Sequence, residues 1–150
     1  MKDSIGFPQL ILRLALGLGF ILPVMDRLGM LGAPGAEGVA WGDWPHFIAY
    51  TETILPFLNK PLVNVAGALA STAEAIFGIC LIIGFKTKQA AFGSGVLTLI
   101  FGICMALFLN IQAPFKYPVF VFVGAGFVLS GVSRFKWSVD ELLTKKAALK

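Results

Sequence analysis

One carboxylic acid, Glu74, lies in the middle of the otherwise uncharged run from Pro61 to Phe85. An ionisable group inside so apolar a stretch is costly, so it is kept protonated, paired or beside a polar cavity, and by default it marks a functional position. Gly67, Ser71, Glu74 and Gly78 are spaced four, three and four residues apart. On a helix they form one stripe whose small members admit a neighbouring helix. The spacing turns Glu74 toward protein and away from lipid, where its carboxyl group could take up or relay a proton.

Arg13 is the second candidate for chemistry. It lies about one and a half turns into PQLILRLALGLGFILPVMDRL, with Gly17 four residues further on the same face. Either it snorkels to the headgroups, or it turns inward to meet Glu74 directly or across a water, lipid or quinone-like head group. Counted from one membrane side, Arg13 is roughly 8 Å deep and Glu74 roughly 16 Å deep. A guanidinium spans that gap, although each side chain leans toward its own helix start and so away from the other. Pro23 removes a backbone donor and predicts a kink in the outer third of the segment. Asp26 and Arg27 then close it as an interfacial stop, or Asp26, on the inward face of Gly19 and Pro23, binds something arriving from outside.

Trp41, Trp44 and Tyr50 fit an aromatic belt at the membrane interface or a roof above Glu74. His46 is the sole histidine and reads as a surface or capping residue before a ligand. Cys80 and Cys104 fall at different depths, about 8 and 23 Å from one side, too far apart in level for a disulfide. No zinc site, P-loop or dinucleotide fingerprint is present, and one histidine excludes a haem with two histidine ligands in one chain. No metal site is expected.

These residues must be positioned by membrane helices. The chain has 150 residues, 57% of them hydrophobic and 13% charged, which is far from a soluble average. The expected fold is all-α, an integral membrane four-helix bundle in one domain over residues 1–150, with spans at about 8–28, 62–85, 89–109 and 118–135. Residues 29–60 form an outer segment. Within it Asp43 caps a short helix that shows Trp44, Phe47, Ile48, Thr51 and Leu55 on one face. Residues 136–150 form a cytoplasmic tail, with Ser138 or Asp140 opening an amphipathic helix.

Lys2, Lys86, Lys88, Arg134, Lys136, Lys145, Lys146 and Lys150 fall on one side of such a bundle, and Arg27, Lys60 and Lys116 on the other. The excess puts both termini in the cytoplasm. Arg13 breaks the first apolar run and Asp3 spoils a basic leader, so the first span reads as retained and not as a signal peptide. The net charge of +4 is a topology signal and an attraction to anionic lipid, and does not indicate nucleic-acid binding.

LILRLALGLGFILP, WGDWPHFIAYT, TAEAIFGICLIIGFKTKQAAFGSGVL, PFKYPVFVFVGAGFVLSG and KWSVDEL, in that order, resemble the DoxX/DoxD family of small four-span membrane proteins over nearly the whole chain. The resemblance implies a membrane subunit of a quinol oxidase or thiosulfate:quinone oxidoreductase type of complex in the bacterial cytoplasmic (inner) membrane. It implies Arg13 and Glu74 as the intramembrane charged pair and Tyr117 as the tyrosine opening the fourth span. No cofactor is expected within the chain itself, and the resemblance implies a quinone as the associated one. Partners would be membrane lipid and a redox subunit or further copies of the chain.

On this reading Glu74 and Arg13 carry the chemistry, while Asp26, Trp41, Trp44, His46, Tyr50 and Tyr117 line a ligand site. The competing reading is a non-catalytic structural or assembly protein whose polar pair fixes helix register. A small-molecule carrier is a third, weakened by the lack of an inverted repeat.

Overall fold

In the computed structural model residues 5–148 are described, and among them the chain is all-helical. Lys2, Asp3 and Lys150, used above for orientation and leader arguments, lie outside the described residues. The helices are α1 (Gly6–Arg27), α2 (Trp44–Ile54), α3 (Lys60–Ile83), α4 (Thr87–Phe108), α5 (Ala113–Lys116), α6 (Val119–Ser130) and α7 (Val139–Ala147).

Among them α1, α3 and α4, of 22, 24 and 22 residues, are long and apolar enough to cross a membrane. Their outward side chains are large and apolar: Leu69 is 67% exposed and Leu107 70%. A water-facing surface does not carry so much, whereas acyl chains solvate it without cost. The chain is therefore a multi-pass membrane protein.

The expectation of a four-helix bundle is corrected. The segment expected to span at about 118–135 forms the 12-residue α6, roughly 18 Å long and short of the ~30 Å hydrocarbon core. Pro118 fixes where α6 starts, and after Gly131 the chain leaves the helix. Among the described residues the architecture is seven helices, not four. The charge count that put both termini in the cytoplasm assumed four full crossings and no longer applies.

Two helix pairs, α4 with α6 and α1 with α3, make the most extensive contacts, and α3 with α4 joins them. Small residues set the approach. A Cβ built on Gly17 would stand 3.0 Å from the carbonyl oxygen of Gly78, and one on Gly78 would stand 3.0 Å from that of Gly17, so backbones touch where α1 crosses α3. Leu16, Phe20, Leu81, Ala90, Ala91 and Leu129 fill the space between the helices.

The end of the bundle where α3 turns into α4 is called the turn end here. There α3 stops at Gly84, whose φ of +72° suits a left-handed C-cap and whose N–H returns to Cys80 O. The following α4 has no cap of its own, since Lys86 (φ 46°) offers no side-chain bond. Asp140 supplies it from the tail, its carboxylate accepting from Lys86 N and Thr87 N at 2.8 Å each. At the opposite, capped end, α2 lies over the bundle with Phe47 and Ile48 packed on Val63 of α3. Pro23 sits inside α1, and the helix continues through it to Arg27.

Candidate functional site

The partner of Glu74 is Arg27. Its Nη1 lies 2.8 Å from Glu74 Oε2, and both side chains are buried, at 4% and 7% exposure. The last turn of α1 delivers the arginine and the middle of α3 the acid. The same Nη1 donates to Ser71 Oγ at 2.8 Å, and Ser71 in turn donates to Gly67 O one turn back, at 2.7 Å. Arg27 Nε donates to Pro23 O at 3.1 Å, within its own helix. No hydrogen bond is aimed at Glu74 Oε2, so the charge contact is close but poorly aligned.

A lid of aromatic rings closes over the pair. The Arg27 guanidinium lies 4.0 Å from the centre of the Phe47 ring and 5.1 Å from that of Trp41, inside the range of cation–π attraction. Trp41 meets Phe47 edge-on at 5.4 Å and Tyr50 at 5.9 Å. Asp26 holds this lid down by accepting from three successive N–H groups of the loop, Ala40 at 3.1 Å, Trp41 at 2.9 Å and Gly42 at 3.3 Å. Trp44 Nε1 donates to Asn64 Oδ1 of α3 at 3.0 Å, a second tie.

Arg13 is at the other end. Counted along α1 it lies fourteen residues, roughly 21 Å, from Arg27. Its Nε donates to Leu81 O at 3.0 Å, Nη2 to Ile82 O at 3.2 Å and Trp137 O at 3.3 Å, and Nη1 to Lys136 O at 3.2 Å. Gln9 Oε1 makes a longer contact at 3.5 Å. Two of these acceptors are last-turn carbonyls of α3, which have no partner inside their helix. Buried to 1% exposure, Arg13 knits α1, the end of α3 and the tail together, and its hydrogen bonds go to none of Glu74's atoms.

Of the expected ligand-site residues, Asp26, Trp41 and Tyr50 gather around Arg27, with Trp44 beside Phe47 at 5.2 Å. Burial pushes the Tyr50 phenol up, and Tyr117 adds to this. Tyr117 itself is 67% exposed. His46 is exposed and faces Asp43, with 2.7 Å from Nδ1 to Oδ1. The N–H groups of His46, backbone first, hold the Asp43 carboxyl below its usual range. Cys80 and Cys104 are both free thiols.

Sequence reasoning missed Arg27 as the partner, and the signal for it was present. Helical side chains lean toward their helix start. Applied to Arg13 that lean points away from Glu74, but because α1 and α3 run in opposite directions it points Arg27 and Glu74 at each other. Compared with family models, curated proteins and solved structures, the chain matches none, so the site's meaning has to come from its own geometry.

Proposed function

We propose that this chain is a DoxX-type subunit of the bacterial cytoplasmic membrane that serves a quinone-linked redox complex, with Glu74 and Arg27 as its working groups. The observation that carries the reading is the buried Glu74 Oε2, 2.8 Å from a cation yet with no hydrogen bond directed at it. A buried acceptor left in this way is ready for a proton or for a ligand donor.

Glu74 accepts and releases the proton. Arg27 stabilises the carboxylate when the proton is gone, and Phe47 and Trp41 keep water off both. A bound quinone would supply two-electron chemistry coupled to protons; the residues suited to its polar head are Arg27, Ser71 and Glu74. Arg13, engaged by carbonyls, positions the turn end and leaves the chemistry to the other pair.

The test is the quinone content of the purified chain together with quinol-linked turnover of membranes carrying Glu74→Gln. Bound quinone and a turnover reduced at least tenfold, with the protein still folded, support the reading. Quinone-free extracts and unchanged turnover overturn it. One observation favours the structural or assembly reading instead: Arg13 spends its donors on four backbone carbonyls of two separate segments, the end of α3 and the tail. That reading expects Glu74→Gln to lower yield and melting temperature and to leave respiratory rates alone.

A further inference from the structure

A second feature lies outside this site, on the lipid-facing side of the turn end. Phe77 of α3, Lys88, Gln89, Phe92 and Gly93 of α4, and Ser130 of α6 line an open groove of about 650 Å³. Its floor is formed by the close approach of Phe77 to Gly93, where a Cβ would stand 2.6 Å from the ring. Its wall is Phe92, steadied by Phe127 at 5.6 Å between ring centres. Phe92 and Gly93 lie one turn or slightly more inside Lys88, so the groove runs from the polar edge of α4 roughly 6–7 Å into the apolar span.

The polar end is positive. Lys88 is exposed in the first turn of α4, and among the described residues no carboxylate lines the groove or pairs with Lys88. Asp140, which reaches the start of α4, already accepts from Lys86 N and Thr87 N. The Ser130 hydroxyl is spent on Phe127 O at 2.7 Å, which leaves Lys88 and the Gln89 amide as the donors at the groove mouth.

We infer that this groove is a binding site for an anionic phospholipid, one acyl chain lying along Phe77, Phe92 and Gly93 and the phosphate meeting Lys88 and Gln89. Charge complementarity selects the occupant. A lipid of net negative charge neutralises Lys88, whereas a zwitterionic lipid brings its own cation and leaves Lys88 uncompensated. The site stands independently of the redox reading, because among the described residues the hydrogen bonds and ion pair of Glu74 and Arg27 involve none of its residues.

The experiment is native mass spectrometry of the full chain in detergent, titrated with phosphatidylglycerol and with phosphatidylcholine of the same acyl chains. Wild type should prefer phosphatidylglycerol roughly fivefold, the contribution of one lysine at a membrane surface. Lys88→Gln should abolish the preference, while Lys60→Gln, at the capped end, should keep it. Equal binding of the two lipids by wild type, a preference that survives Lys88→Gln, or one lost equally in Lys60→Gln would overturn the inference. So would displacement of the lipid by inorganic phosphate, which would make the site one for a free anion, or by an equal amount of a long-chain quinone, which would make it a quinone groove.

Discussion

Arg27 and Glu74 meet at 2.8 Å although one sits on the last residue of its helix and the other near the middle of its own. The antiparallel crossing of α1 and α3 at Gly17 and Gly78 fixes the levels. From that crossing Arg27 is ten residues along α1 and Glu74 four along α3, an axial offset of roughly 9 Å. Side chains that lean toward each other close it. The pair therefore depends on the small residues that let the two backbones touch, and on the lid that shuts water out above it.

Removing one member of this pair strands the other. Glu74→Gln should destabilise the protein by about 3–5 kcal/mol, the usual cost of an uncompensated buried charge. Arg27→Met should cost a similar amount, and the double variant should cost clearly less than the two together. Thermal unfolding in detergent of the four proteins reads this directly. Strict additivity would mean that the two groups do not interact.

Arg13→Lys tests the second buried cation. A lysine keeps the charge but is a point donor that cannot serve four carbonyls on two segments at once. Two lost charge-assisted bonds at about 1.5–3 kcal/mol each should loosen the turn end. Hydrogen exchange should quicken at residues 84–87 and 136–140, and the lid at 40–50 should stay protected. Unchanged exchange at the turn end would remove Arg13 from the role of a clamp.

Much of this was legible in the chain. The uncharged run around Glu74 and its stripe of small residues announce a span with a protected acid, Asp43 announces the start of α2, and of the two candidates Ser138 and Asp140 it is Ser138 that opens α7; Asp43 and Ser138 each accept from a first-turn N–H. What composition could not show was length in three dimensions. Tyr117 to Ser133 is as apolar as a span, yet Pro118 and Gly131 limit the helix to Val119–Ser130. Nor could it show Arg13's partners, because backbone carbonyls leave no mark in a sequence. Arg27 looked like a boundary residue because it is one, and only the direction of α3 beside it makes it an intramembrane partner.

The helix crossings make opposite predictions for two glycines. Gly78→Ala puts a methyl group 2.8 Å from Ile21 and 3.0 Å from the Gly17 carbonyl, overpacking that should cost about 1–3 kcal/mol. It should also pull Arg27 away from Glu74. Gly124, inside α6, has nothing within 4 Å of an added Cβ. There Gly124→Ala should stabilise by roughly 0.5–1 kcal/mol through helix propensity. A melting temperature of Gly78→Ala at or above that of wild type would contradict the α1–α3 contact.

Acid should open the lid from its exposed end. Asp43 caps α2 by accepting from His46 N at 2.9 Å, with the His46 ring at 2.7 Å, and these bonds hold its carboxyl below the usual range. A carboxylate with a lowered folded-state value contributes fully above its unfolded value, and loses that contribution as the pH falls through the folded one. The first turn of α2 should therefore fray at pH values below the ordinary carboxylate range and be intact at neutrality. Because α2 carries Phe47 onto Arg27, tryptophan fluorescence from Trp41 and Trp44 reports the fraying. Asp43→Asn keeps an oxygen that can accept from His46 N but has no proton to gain, so its fluorescence should lose that acid transition while its neutral-pH signal stays close to wild type. An acid transition of the same midpoint in Asp43→Asn would place the titrating group elsewhere and detach the lid from its cap.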